Sequence, residues 1–125
     1  MTGRYFLDTN AWIYAINGRV KLPGYRYFTS VITEMELLSW PALTASEERV
    51  LRDILTGIHV IGLTSDVKDR AIEIRKATSL KLPDSIVSAS AQLADGVLVT
   101  NDRKLRERHG GASVTLEELL EQSSG

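Results

Sequence analysis

The feature that most constrains the fold is a short apolar run that ends abruptly in polar residues. The run 5–7 (Tyr-Phe-Leu) is followed directly by the polar segment 8–10 (Asp-Thr-Asn). An apolar run this short, bounded by polar residues, is too short for a helix and typical of a buried strand. Asp8 then lies at the carboxyl end of the strand, where open α/β sheets place their ligands. The pattern therefore predicts a functional edge at Asp8.

Apolar runs and helical patterns alternate along the rest of the chain. Such alternation favours a βαβ architecture with a mostly parallel sheet. Further strands are predicted at 27–29, 59–63, 97–100 and 112–115. Helices are predicted at 10–16, 31–40, 45–56, 65–76, 82–94, 103–109 and 116–121. In the helix 45–56 we expect Val50, Ile54 and Leu55 to face inward.

Length and composition indicate one globular domain. The 125 residues, of which 43% are hydrophobic, suffice for a single core at 1–125, with 122–125 expected to be a frayed tail. The chain has no cysteine, which excludes disulfides and thiolate metal sites and favours a reducing cytoplasm. No apolar run approaches a membrane span, and residues 1–5 do not resemble a signal peptide. The net charge of −1 argues against a protein that coats nucleic acid, but not against an enzyme that acts on it.

Two further acids are predicted to lie beside Asp8. Asp102 follows the apolar strand 97–100, so a parallel sheet places it at the same edge. Asp84 follows Pro83 at the start of a helix that feeds back into that strand, so the helix begins at the same edge. Each acid alone could simply cap a helix. Capping, however, does not require the three acids to converge.

A fourth acid comes from the helix 31–40, but periodicity does not identify it. Glu36 shares a helix face with Ile32 and Ser39. Glu34 shares one with Val31 and Leu38. One of the two belongs to a solvated face, and at this level both remain open.

Four segments together resemble the PIN-domain family, and most closely its VapC toxins of prokaryotic toxin–antitoxin pairs. They are 7–10, 29–37, 82–89 and 99–102, which occur in the family's order and span nearly the whole chain. The resemblance implies a three-layer α/β/α sandwich around a mostly parallel sheet of four to five strands. The family's catalytic acid precedes Leu in the second segment, which selects Glu36 over Glu34. The implied catalytic residues are Asp8, Glu36, Asp84 and Asp102.

The same resemblance implies a metal-dependent endoribonuclease that acts on structured RNA such as tRNA or rRNA. It also implies a cognate antitoxin and a homodimer. One departure concerns the antitoxin. The family commonly has a longer helical segment between the first helix and the second strand, and only residues 18–26 fill that space here.

Clustered carboxylates explain why such a site needs a cation. At an effective dielectric near 20, two carboxylates about 4 Å apart repel by on the order of 4 kcal/mol. Mg²⁺ or Mn²⁺ suits all-oxygen ligands and retains water, which can then attack a phosphodiester. We expect Asp8, Asp102 and Asp84 to be the metal ligands. Glu36 would position or deprotonate the attacking water.

Supporting roles are predicted for several neighbours. Thr100 falls on the family's small hydroxyl position beside the last acid and is expected to orient a ligand, and Asn10 falls on a polar position near the first. Among the basic residues after Asp102, Arg103 and Lys104 are expected to bind phosphates, unless they only form a solvated helix face. Arg26, with Lys21 and Tyr25, has the charge and ring that single-stranded RNA sites use, or it meets a dimer partner or an antitoxin.

Other chemistries fit less well. The two histidines, His59 and His109, are expected to be structural, with His109 favouring a helix dipole. A receiver domain needs a second acid beside Asp8 and a late lysine, and aspartyl phosphatases need an acid where Asn10 stands. The remaining alternative is a catalytically silent PIN-type module that binds RNA or protein.

Overall fold

A computed structural model describes residues 3–18 and 20–124. Arg19, in the segment 18–26 between the first helix and the second strand, lies outside the described residues. The five strands are β1 (Arg4–Leu7), β2 (Arg26–Ser30), β3 (His59–Ile61), β4 (Val97–Val99) and β5 (Ser113–Val114). They form one sheet in the order β3-β2-β1-β4-β5, and every pairing is parallel. The predicted mostly parallel sheet is confirmed.

Seven helices complete the part of the chain that the structure describes. They are α1 (Thr9–Asn17), α2 (Val31–Leu38), α3 (Ala45–Thr56), α4 (Ser65–Thr78), α5 (Leu82–Leu93), α6 (Arg103–Arg108) and α7 (Leu116–Ser124). Their order agrees with the sequence prediction; half of the ends coincide with it, and the others, apart from the end of α7, differ by one or two residues. The last helix is longer than predicted, since it continues past position 121, and Gly125 lies outside the described residues.

Local chemistry fixes where the helices begin. The side chains of Asp8, Ser30, Thr44, Thr64 and Asp102 each accept a hydrogen bond from a backbone N–H in the first turn of the helix that follows. Each such cap is worth about 0.5–2 kcal/mol. Two of these caps, Asp8 and Asp102, are also predicted site residues. Their structural role is real and has to be separated from any chemical one.

Alternation along β1 sends its side chains into two separate cores. Tyr5 and Leu7 pack on one face with residues of α1, α3 and α7, whereas Phe6 packs on the other with residues of α4, α5 and α6. Helices therefore cover both faces of the sheet. This is the three-layer α/β/α sandwich that the sequence predicts.

The strand order creates a crevice beside β1. From β1 the chain proceeds outward to β2 and β3, then crosses back to pair β4 with the other side of β1. The reversal leaves a crevice at the carboxyl ends of β1 and β4, the place where doubly wound sheets bind ligands. Asp8 and Asp102 follow these two strands, so the predicted shared edge is confirmed.

Two predictions about individual side chains are wrong. Val50 is predicted to face inward but is 53% exposed, because the buried stripe of α3 runs through Leu51 and Leu55. His109 is predicted to act as a cation on a helix end, yet it is 1% exposed. Burial lowers the pKa of His109 to about 4, so the ring is neutral at physiological pH.

No helix within 3–18 and 20–124 combines the length and apolar character needed to cross a membrane.

Candidate active site

Asp8 directly follows β1 at the carboxyl edge of the sheet, beside β4. Its side chain is 8% exposed, and its two oxygens have different partners. Oδ1 accepts a hydrogen bond from the Ala11 N–H at 2.8 Å, and Oδ2 accepts one from the Thr100 hydroxyl. Burial raises the pKa of Asp8, the bonds from Thr100 and Ala11 oppose the rise, and the nearby charges of Asp84 and Asp102 add to it.

Asp84 lies at the same edge of the sheet, in the first turn of α5. Pro83 starts that helix, which returns to β4 and so begins at the carboxyl edge of the sheet. Burial raises the pKa of half-buried Asp84, and the charges of Asp102 and Glu36 raise it further. The structure therefore brings the predicted acids within electrostatic range of one another.

The two glutamates of α2 differ in their surroundings. Glu36 is the one whose charge acts on Asp84, and its Oε1 accepts a hydrogen bond from the Thr9 hydroxyl at 2.6 Å. Glu34 is not among the charges that act on Asp84. Sequence reasoning missed Thr9, although its place directly after Asp8 and at the start of α1 gave the available signal.

Thr100 links the first acid to the last. Its hydroxyl donates to Asp8 Oδ2 and accepts a hydrogen bond from the Asp102 N–H at 3.0 Å. Asp102 itself is exposed, and its Oδ1 accepts from the Leu105 N–H at 3.2 Å. Asn10 lies nearby as an exposed residue in the first turn of α1.

The predicted phosphate-binding residues separate into different places. Lys104 lies close enough to Asp84 to lower its pKa, whereas the Arg103 guanidinium pairs with Glu107 at 2.9 Å. Substrate binding by Arg26 stays a prediction. Arg26 stands opposite Arg4 in the register of β1 and β2, at the start of β2, so it lies at the opposite edge of the sheet from the carboxylates.

The donor set suits a hard divalent cation, because carboxylate oxygens are the ligands that Mg²⁺ and Mn²⁺ prefer. Among the residues that the structure describes, however, no three acidic or histidine side chains already form a group that could hold a metal ion. In this arrangement both oxygens of Asp8 and one of Asp102 accept hydrogen bonds from protein donors, and Glu36 accepts one from Thr9. The acids are close together and have the oxygen ligands that such a cation prefers, but their side chains are not arranged as a complete coordination sphere.

Asp84→Asn is expected to raise the thermal stability of the metal-free protein at neutral pH. The pKa of Asp84 is higher in the folded than in the unfolded chain, so its protonated form favours folding. This contribution to the free energy of unfolding is complete below the unfolded pKa of about 3.8 and is lost as the pH rises through the folded pKa. Neutral asparagine removes that penalty. We expect an increase of a few degrees in the melting temperature at pH 7 in EDTA, by calorimetry.

Asp66→Asn is the matched control, since Asp66 is an exposed acid in the first turn of α4. It should leave the melting temperature nearly unchanged. The advantage of Asp84→Asn should shrink as the pH approaches 4. A lower melting temperature for Asp84→Asn at pH 7 would show that the carboxylate stabilises the apo fold.

Comparison with known proteins gives a consistent assignment of the fold. A family model described as PIN domain matches residues 5–110. A search among curated proteins finds no match.

Several solved structures are similar over most of the chain. A toxin–antitoxin complex from Klebsiella pneumoniae is 28% identical, with a TM-score of 0.72, covering 90% of this chain and 97% of that one. A DNA-bound VapBC from Salmonella typhimurium is 21% identical with a TM-score of 0.75, covering 90% and 98%. A protein from Pyrobaculum aerophilum is 21% identical with a TM-score of 0.77, covering 99% and 97%. At these identities the last two show a shared fold.

Proposed function

We propose a function on the premise that this chain belongs to the PIN-domain family. In this proposal the protein is a metal-dependent endoribonuclease that hydrolyses RNA phosphodiester bonds. It serves as the VapC-type toxin of a toxin–antitoxin pair. The likeness to a toxin–antitoxin complex from Klebsiella pneumoniae supports the toxin assignment. Structured RNA such as tRNA or rRNA is the proposed substrate, and the cytoplasm the proposed location.

One observation carries the nuclease proposal. Four acids that are far apart in sequence lie close enough for their charges to repel one another at the carboxyl ends of β1 and β4, namely Asp8, Glu36, Asp84 and Asp102. Burial and mutual repulsion raise the pKa values of Asp8 and Asp84, which costs stability at neutral pH. A fold retains such a cost where chemistry needs it, so the cluster is better explained by catalysis than by helix capping.

The proposed mechanism assigns each acid a task. Asp8, Asp102 and Asp84 would hold Mg²⁺ or Mn²⁺, which, when bound, activates water and neutralises charge on the phosphate oxygens. Thr100 fixes the orientation of the Asp8 carboxylate through its hydroxyl. Glu36 is exposed and caps no helix, and its Oε1 is bonded to Thr9, so Oε2 would accept a proton from the attacking water. Thr9 holds that carboxylate in place.

Cleavage of a mixed RNA pool tests the proposal directly. We expect the purified chain to shorten RNA in Mn²⁺ and to leave it intact in EDTA, as judged on a denaturing gel. RNA that is bound but never cut would instead support the silent binding module. Equal cleavage with Mn²⁺ and EDTA would contradict a metal-dependent enzyme.

Glu36→Gln is expected to lower the cleavage rate at least about tenfold, and Glu34→Gln to leave it unchanged. The glutamine keeps the size of the side chain and can still accept from Thr9, but it cannot take a proton. Single-turnover rates of the two variants form a matched pair, since both changes remove one charge from α2. Loss of activity in Glu34→Gln alone would place the catalytic acid on the other face of the helix.

The proposed protein partner is an antitoxin. An apolar groove between α1, α2 and α3 suits a segment of such a partner, and Trp40 on its rim is 52% exposed. The groove is lined by Ile13, Ile16, Leu37, Trp40, Leu43 and Leu51. Co-expression with the product of a neighbouring small reading frame should give a complex that does not cleave RNA.

Light scattering of the free chain tests the proposed homodimer.

A further inference from the structure

Two lysines flank the carboxylate pocket from separate elements. Lys81 directly precedes α5, three residues before Asp84, and Lys104 is the second residue of α6, two residues after Asp102. Both side chains are exposed. Both charges act on the Asp84 carboxylate. In the part of the chain that the structure describes, neither ammonium group lies within ion-pair distance of a carboxylate.

The other basic side chains of α6 are already engaged. Arg103 pairs with Glu107 at 2.9 Å, and Arg106 lies 3.9 Å from Glu118. Arg108 donates from a terminal nitrogen to the Thr78 carbonyl at 3.0 Å. Lys104 is therefore the α6 cation that is left to meet a ligand beside the acids.

The backbone that carries Lys81 is held in place. Arg75 donates to the Leu80 carbonyl at 3.1 Å, and the Ser85 hydroxyl donates to the Lys81 carbonyl at 3.0 Å. The bond from Arg108 to Thr78 ties the same turn to the end of α6. These bonds fix the turn before α5 relative to α6. The backbones that carry Lys81 and Lys104 are therefore held in a defined arrangement.

We propose that Lys81 and Lys104 bind the backbone phosphates next to the scissile one, on the Asp84 side of the pocket. The proposal rests on the proposed nuclease function and names the residues that hold its RNA strand. A lysine ammonium is a compact point charge on a flexible stem, which suits a phosphate of varying geometry. Contacts of this kind position a strand without reading its sequence.

The local charge makes such contacts necessary. The pocket carries four carboxylates and would repel an approaching phosphate, while the chain as a whole has a net charge of −1. Two unpaired cations beside Asp84 offset part of this negative charge on that side, where a phosphate strand can then approach. An acidic protein segment could use the same charges, but a phosphate strand must pass beside the pocket if its scissile bond is to enter it.

The test measures RNA binding without cleavage. A labelled single-stranded RNA of mixed sequence is titrated in EDTA, by fluorescence anisotropy, with the wild type and with Lys81→Gln/Lys104→Gln. At about 0.1 M salt we expect the affinity to fall about fivefold for each lysine–phosphate pair that the substitution removes, or roughly 25-fold for both. The slope of log K against log salt should fall by about 1.4, since each phosphate neutralised on a single strand contributes roughly 0.7.

Lys68→Gln/Lys76→Gln is the matched control, because it removes the same charge from two exposed residues of α4 whose charges do not act on Asp84. It should keep nearly the wild-type affinity and slope. In Mn²⁺ the Lys81/Lys104 variant should raise KM by a larger factor than it lowers kcat.

Three results would overturn the proposal: wild-type affinity in the Lys81/Lys104 variant, an equal loss in the control pair, or failure of the wild type to bind RNA. Loss of binding to a protein partner with RNA affinity intact would assign the lysines to that partner. Cleavage by the wild type in Mn²⁺ is scored separately. The nuclease proposal can therefore stand when the lysine proposal fails, and binding can depend on the lysines even if no cleavage occurs.

Discussion

Asp102→Asn is expected to reduce RNA cleavage at least about 100-fold while the fold persists. The exposed carboxylate caps α6 through Oδ1, and asparagine caps a helix about as well as aspartate. The substitution therefore keeps the structural role and removes the charge. Asp102 is a proposed metal ligand, and loss of such a ligand is expected to remove several kcal/mol of transition-state stabilisation, which accounts for the size of the effect.

Two measurements separate the chemical role from the structural one. Circular dichroism and the melting temperature in EDTA should stay close to wild type, and Mn²⁺ affinity by calorimetry should fall at least about tenfold. Asp66→Asn serves as the control, because it neutralises an exposed acid in the first turn of a different helix, α4. Full activity of Asp102→Asn would assign this residue to capping alone.

The parts of the site that the sequence predicts are those fixed by strand ends. Asp8 and Asp102 each follow an apolar run directly, and in a parallel sheet such positions share one edge whatever the strand order. Asp84 follows from the direction of the helix that returns to β4. The adjacency of β1 and β4 is a non-local pairing, so sequence patterns leave it open, and the structure supplies it.

Side-chain partners across elements lie beyond what the pattern can predict. Periodicity cannot choose between Glu34 and Glu36, because both alternatives place apolar residues on the same face as the acid. What distinguishes them is the hydroxyl of Thr9, which lies 27 residues away from Glu36 in sequence. The family resemblance selects Glu36, and the contact with Thr9 gives a physical reason for that choice.

Charge composition likewise does not show which cations are free. Arg103 and Lys104 are adjacent in sequence and are predicted to act alike. An acid one turn later engages Arg103, whereas Lys104 has no ion-pair partner among the described residues and lies near enough to Asp84 to lower its pKa. Arg26 is grouped with its neighbours Lys21 and Tyr25 by sequence, but the parallel register of β2 places it at the far edge. Long-range packing decides each of these outcomes.

The same kind of packing places His109 where acid will destabilise the fold. The His109 Nδ1 lies 2.6 Å from the Ser88 hydroxyl, which also donates to the His109 carbonyl, while Nε2 is buried without a hydrogen-bond partner. The ring packs closely against Gly111, where an added β-carbon would lie only 3.0 Å from Nε2. A proton on the ring would have no acceptor, which is why burial lowers its pKa to about 4.

Wild-type protein is therefore expected to lose stability as pH falls from 6.5 to 4. In this window the unfolded chain binds a proton at His109 and the folded chain does not, so stability rises with pH. The difference between the ordinary pKa of 6.5 and the folded-state pKa of about 4 corresponds to a loss of at most roughly 3 kcal/mol in the free energy of unfolding. Urea unfolding at several pH values measures it. The ring joins the end of α6 to α5, so the loss also loosens the two helices that carry Asp84 and Lys104.

The difference between wild type and His109→Gln isolates this contribution. The raised pKa values of Asp8 and Asp84 act in the opposite direction, because their protonation favours the folded state, and the subtraction removes their effect. His109→Gln should be less stable at pH 7 through lost packing, yet its pH dependence above pH 4 should be flatter. His59→Gln changes an exposed histidine at the edge of the sheet and should run parallel to wild type. If His109→Gln instead lost stability with acid as steeply as wild type, the buried ring would not be the group that responds.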